Sequence, residues 1–221
     1  MNKGKIIVLE GLDGCGKSTQ LELIVKALAE KGLSVRLVSF PNYESNSGRV
    51  VSDYLQGAIP CDGITGAYAA SSFYAADRYI SFNTDWKKYY DNGDIIVCGR
   101  YTTSNAIYQM TKLADDERDV FLSWLWDYEY TKLGLPRPDK VIFLDMPLEV
   151  SQRLLSARYN GDESKKDIHE SNLNFMEKCR VSALYTAEKC NWDMICCSDG
   201  VGPLPIEDIH NKILASVEEL F

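Results

Sequence analysis

Gly11-Leu12-Asp13-Gly14-Cys15-Gly16-Lys17-Ser18 decides how the rest of the chain is read. Glycine at the first and sixth places, followed by Lys-Ser, meets the phosphate-loop pattern G-x-x-x-x-G-K-[ST] at every fixed position. The flanks agree with it. Ile6-Ile7-Val8-Leu9 is a short β-branched run of buried-strand character, and Leu21, Ile24, Val25 and Leu28 recur at helical spacing before Gly32. Gly11, Gly14 and Gly16 let the backbone curl and turn its N–H groups inward, and a helix starting near Lys17 adds its positive end. Lys17 supplies a mobile cation for terminal phosphates, and the Ser18 hydroxyl is placed to ligate Mg²⁺. Leu12, Cys15 and Thr19 complete the stretch expected to hold ATP. The loop alone implies a nucleoside triphosphate and leaves the phosphoryl acceptor open.

Around this centre the composition excludes several classes. Hydrophobic residues make up 45% of the 221, enough for a sizeable core and against disorder. The net charge of -8 argues against a duplex nucleic-acid binder but not against a nucleotide site with a few local cations. Two histidines, His169 and His210, leave little material for a histidine zinc site or a Ser-His-Asp triad. Seven cysteines without a CxxC pair fit reduced core thiols. Met1 to Lys5 runs straight into the first strand without a signal-peptide core, and no stretch is apolar for a membrane's length. A cytoplasmic protein is expected.

Further strands are expected at Val35–Ser39, Ile95–Cys98, Val141–Leu144 and Met194–Cys197. Helices are expected at Ser47–Leu55, Ala67–Tyr90, Ser104–Met110, Glu117–Tyr130, Pro147–Leu155 and Ser171–Lys189, with a closing amphipathic helix from Ile206 to Leu220. Alternating strands and helices give an α/β fold, a five-stranded parallel sheet with helices on both faces, in a single domain over 1–221. In such sheets ligands gather outside the carboxyl ends of the strands, so the segments after Leu9, Ser39, Cys98 and Asp145 should meet in one cleft.

Those ends carry the second half of the chemistry. Phe40-Pro41 follows the second strand, with Arg49 downstream; Tyr74 and Arg78 lie four apart on one helix face; Arg100, Ser104, Tyr108 and Gln109 follow the third strand. An aromatic plate, forked cations and an amide suit a base and a monophosphate. Each residue also has a plainer role open to it. Tyr74 could be core, Arg78 could pair with Asp77 or another nearby acid, and Lys165-Lys166 could be a solvated charge run.

At these residues the chain resembles the thymidylate kinases, within the P-loop nucleoside monophosphate kinases. The likeness covers nearly the whole length: the loop with Asp13, Phe40-Pro41, Tyr74-Ala75-Ala76-Asp77-Arg78, Arg100-Tyr101 with Tyr108-Gln109, Leu135-Pro136-Arg137-Pro138-Asp139 and the arginine-bearing segment after the fourth strand. It implies a three-layer P-loop kinase fold with a mobile lid at about 158–168, transfer of the ATP γ-phosphate to dTMP with Mg²⁺, and a homodimer. It implies Tyr74 stacked on thymine, Arg78 and Gln109 on the base, Arg100 on the acceptor phosphate, Asp13 near the 3′-hydroxyl, Tyr108 against the 2′ position and Arg153 near adenine. No arginine stands inside the loop, so the lid should supply cationic charge from Arg158, Lys165 or Lys166. Two positions depart from the family pattern: Gly99 stands where an Asp usually precedes the arginine, and Asn42-Tyr43 where an Arg often follows Phe-Pro. Arg49 is the candidate replacement for the latter. A kinase of the same fold with another deoxynucleotide or nucleoside as acceptor, and a nucleotide-binding regulatory module, are the competing expectations.

Overall fold

The computed structural model describes residues 3–158 and 172–221. The strands are β1 (Ile6–Gly11), β2 (Val35–Ser39), β3 (Ile95–Gly99), β4 (Lys140–Asp145) and β5 (Asp193–Cys196). They form one sheet in the order β2-β3-β1-β4-β5, with every neighbour parallel. β1 is central, registering Val8 against Cys98 on one side and Val141 on the other.

All six residues of β1 are buried, and successive side chains point to opposite faces. Ile6 and Val8, with Ile96, Cys98, Val141 and Phe143, join one apolar cluster; Ile7 and Leu9, with Val97, Ile142, Leu144 and Ile195, join another. Burial on both faces is why these strands read as unbroken apolar runs. Helices α1 (Lys17–Glu30) and α9 (Ile206–Glu218) cover one face through Ile24, Leu28, Ile209, Ile213 and Val217. Against the other face pack α5 (Thr103–Tyr108), α8 (Leu173–Cys190) and the π-helical turn Phe82–Trp86, through Ile107, Met176, Ala183 and Trp86. The remaining helices are α2 (Asn46–Leu55), α3 (Gly63–Ser81), α4 (Lys87–Asp91), α6 (Arg118–Trp126) and α7 (Leu148–Arg158). The three-layer α/β arrangement is the expected one.

Element boundaries differ where the backbone winding changes. The single helix expected over Ala67–Tyr90 is α3, a π-helical turn and α4. The wide turn swings Trp86 fully inward, against Phe82 at 4.5 Å between ring centres. The helix expected to reach Tyr130 gives way at Trp126 to a second π-helical segment, Asp127–Lys132, which turns Glu129 into the interior with no exposure at all. The expected lid, including Lys165 and Lys166, lies outside the described residues except for Arg158. Among the described residues no helix is long and apolar enough to cross a membrane, and all seven cysteines are free thiols.

Candidate active site

The strand ends open into a cleft of about 910 Å³. One part of its wall is Asp13 to Leu21 with Met146, Leu154, Leu155, Arg158 and Pro203, Leu204, Ile206 and Ile209. The other is Phe40, Pro41, Tyr43, Leu55, Tyr74, Ser104, Asn105, Tyr108 and Gln109, with Gly99 and Arg100 between.

The loop wall is shaped by sterics. Gly14 has φ of +81°, and a Cβ there would come within 2.5 Å of the Ser151 carbonyl; Gly16 has φ of +85°. Among the described residues no side chain caps α1 and no acid occupies its first turn, so its leading N–H groups are available to an anion. Lys17 donates from Nζ to the Gly11 carbonyl at 2.8 Å, which folds the ammonium back over the loop. Leu12 is packed into the core, so only its backbone can serve a phosphate.

Opposite stands Arg100, in the left-handed region at φ of +67°. Its guanidinium pairs with Asp13 of the loop and lies 4.8 Å from the centre of the Tyr108 ring. The Tyr108 hydroxyl donates to the same carboxylate at 3.3 Å. Burial works to lower the Arg100 pKa, but Tyr108 and Asp13 outweigh it and hold the group well above its ordinary value. Burial pushes the Tyr74 and Tyr108 hydroxyls the other way, above their ordinary value.

The peptide after Arg100 is gripped from both sides. Its N–H at Tyr101 donates to the Glu10 carboxylate at 3.3 Å, and Glu10 also accepts from Thr103 at 2.6 Å and Ser104 at 2.8 Å. The Tyr101 carbonyl accepts from Arg78 Nη1 at 3.2 Å. Arg78 otherwise forks onto Glu129 at 2.6 and 2.7 Å, and Asn105 donates to that carboxylate at 3.0 Å. Arg78 is only 1% exposed and is not part of the cleft wall. Its place therefore corrects the reading of Arg78 as a base contact: it is a buried ion-pair partner beneath the site, joined to a glutamate 51 residues away rather than to Asp77. Asp77 instead accepts from Asn42 N–H at 2.9 Å and Ser47 at 2.7 Å, which pins the loop after Pro41.

Tyr74 and Gln109 line the cleft, Tyr74 edge-on to Tyr54 with 6.2 Å between ring centres. Phe40 is 4% exposed at the cleft floor, tilted against Tyr101. Three arginines fall elsewhere or at the rim. Arg49 is exposed on α2 and is not among the residues lining the cleft, which leaves the position after Pro41 without the expected cation there. Arg153 is exposed on α7 and donates to the Val201 carbonyl outside the cleft wall, and Arg158 is exposed at the cleft edge.

For Mg²⁺, no group of three His, Cys, Asp or Glu side chains converges among the described residues. Among the described residues the cleft offers the Ser18 hydroxyl and one acid, Asp13, which is engaged by Arg100. That donor set suits an ion carried on phosphate oxygens and water, the usual arrangement for this hard cation, rather than a protein cage. A Cβ on Gly99 would meet Leu21 Cδ1 at 2.6 Å, so a leucine methyl fills the space beside it.

The thymidylate kinase profile matches residues 9–213. This chain belongs to the thymidylate kinase family. Among relatives, a probable thymidylate kinase of Pyrococcus abyssi is 30% identical over 98% of this chain and 97% of its own. The Plasmodium falciparum thymidylate kinase is 29% identical over 99% of this chain and 91% of its own. A solved thymidylate kinase from Candida albicans superposes with a TM-score of 0.72 over 98% of this chain and 92% of its own, at 20% identity, a likeness of fold.

Within this member of the thymidylate kinase family, sequence reasoning passed over Glu10 and Glu129. Glu10 had a signal, being an acid inside an otherwise apolar strand. Glu129 had none, since its inward direction depends on a π-helical turn.

Proposed function

We propose that this protein transfers the γ-phosphoryl group of ATP to dTMP, giving ADP and dTDP, within one kinase domain with a lid at about residues 158–168. One observation carries the reading: Arg100, at the tip of β3, reaches Asp13 inside the phosphate loop. Two anion seats therefore face each other across a distance that a single guanidinium spans.

The loop N–H groups and Lys17 hold the donor phosphates. Arg100 forks onto the acceptor phosphate, keeping its always-charged donors beside Asp13. Tyr74 offers its ring to the thymine, Gln109 its amide to the base edge, and Tyr108 closes the space beside the sugar. An acceptor phosphate oxygen attacks the γ-phosphorus in line; that P–O bond forms as the bond to the β-phosphate oxygen breaks, and ADP leaves. No side chain becomes phosphorylated, because positioning and positive charge suffice. Ser18 would hold Mg²⁺, which when bound neutralises charge on the β- and γ-phosphate oxygens. Arg158 adds cationic charge from the cleft edge.

Membership of the family supports a homodimer through the helices near Tyr74 and Asn105. Seven free thiols support a cytoplasmic setting. The test is an ADP-release assay with and without dTMP. Release that requires dTMP is expected; slow release indifferent to dTMP would instead support a regulatory nucleotide binder.

A further inference from the structure

Gln109 ends α5 and starts the 3₁₀ turn Met110–Lys112. In that winding, residues three apart lie nearly one above the other. The Lys112 N–H closes onto the Gln109 carbonyl at 3.2 Å, and the two side chains run together. Lys112 Nζ donates to Gln109 Oε1 at 2.9 Å and to the Tyr54 hydroxyl at 3.0 Å, and sits 5.1 Å from the centre of the Tyr54 ring. The Tyr54 hydroxyl also reaches Oε1, at 3.5 Å. Gln109 is 2% exposed, yet it lines the cleft.

The chemistry of these partners settles which way the amide faces. An ammonium has three donors and no acceptor, so only the carbonyl end of Gln109 can meet it. The amide cannot turn over without setting N–H₂ against N–H₃⁺. Burial lowers the Lys112 pKa from 10.5, which marks how far the ammonium is withdrawn from water. Tyr54 links this cluster to the proposed stacking residue, since its ring stands edge-on to Tyr74.

We infer that Lys112 is a positioning residue for base recognition: by holding Gln109 Oε1 it turns the Nε2 amino group toward the cleft, so the site accepts a base edge bearing a carbonyl and rejects one bearing an amine. The inference rests on the proposed reaction and deepens it. A keto pyrimidine such as thymine finds a donor there. Cytosine would set its own amino group against the Gln109 amino group, leaving two buried donors facing each other, and sites of this kind discriminate strongly. Lys112 acts through Gln109 and touches no substrate atom.

The test compares kcat and KM for dTMP and dCMP in Lys112→Met, which keeps an apolar stem, and Lys112→Arg, which still only donates. With Met, the KM for dTMP should rise about tenfold, the loss of one oriented hydrogen bond, and the preference for dTMP over dCMP should fall by a similar factor. Arg should restore both. A Met variant that keeps KM and preference overturns the inference. Gln109→Glu tests it independently of Lys112 folding effects: one carboxylate oxygen stays on Lys112 and the other presents an acceptor to the cleft, so preference should move toward dCMP. An unmoved preference there overturns it too. Failure of the proposed reaction looks different, since the unaltered protein would then not turn over dTMP.

Discussion

Arg100 and Asp13 are 87 residues apart in the chain and ion-paired across the cleft, one following β3 and the other inside the phosphate loop. In the proposed reaction the pair sets the distance between donor and acceptor seats. Arg100→Lys keeps the charge and loses the fork. It should lower kcat/KM for dTMP by about 10- to 100-fold, the cost of trading bidentate for single contacts. Steady-state kinetics checks this, with the KM for ATP changing little. An unchanged kcat/KM would remove Arg100 from the acceptor seat.

The Arg78–Glu129 pair is a structural support, so its loss should appear first as stability. Arg78→Met strands a carboxylate with no exposure and should cost about 3–5 kcal/mol. Adding Glu129→Leu removes the stranded charge and should recover much of that. Denaturant unfolding measures both. A double variant as unstable as the single one would mean that the hydrogen bonds of Arg78 to Tyr101 and of Asn105 to Glu129 carry the stability, not charge pairing.

Leu21 occupies the space a side chain at Gly99 would take. Gly99→Asp together with Leu21→Ala gives a carboxylate room near Ser18. The double variant should reach half-maximal rate at lower Mg²⁺ than the unaltered protein, because ligand charge strengthens binding of this cation. The rate titrated against Mg²⁺ reads this directly, and an unmoved midpoint would show that the ion needs no acid there.

Asp199 accepts N–H bonds from Gly202 at 2.8 Å and Val201 at 2.9 Å, and these hold its pKa below the ordinary 3.8. Because the folded value lies below the unfolded one, the stabilisation is present above about pH 4 and is lost as pH falls through the folded value. Asp199→Asn should therefore flatten the fall of Tm with acidification in that window. An identical acid branch would show that the turn leading to Pro203 does not depend on this charge.

How much of this was legible follows from where the information sits. β1 and β4 read clearly because both faces are buried, so apolar residues run unbroken from Ile6 to Leu9 and from Val141 to Leu144. The phosphate loop read clearly because turn geometry and phosphate chemistry restrict its fixed positions, Gly11, Gly16, Lys17 and Ser18, to few residue types. The break at Phe82 did not, since Phe82, Trp86 and Tyr90 fit a regular helix equally well in sequence. Arg78 was misplaced for a related reason. Its spacing from Tyr74 gives a shared helix face, but its direction is set by Glu129 on a separate element. Arg49 is close to Pro41 in the chain, but α2 turns it to solvent.

Calorimetric titration of dTMP into the unaltered protein tests the central claim most directly. The account predicts saturable binding in the micromolar range, weakened about tenfold or more by Tyr74→Ala through lost stacking. No heat of binding at millimolar dTMP would contradict it.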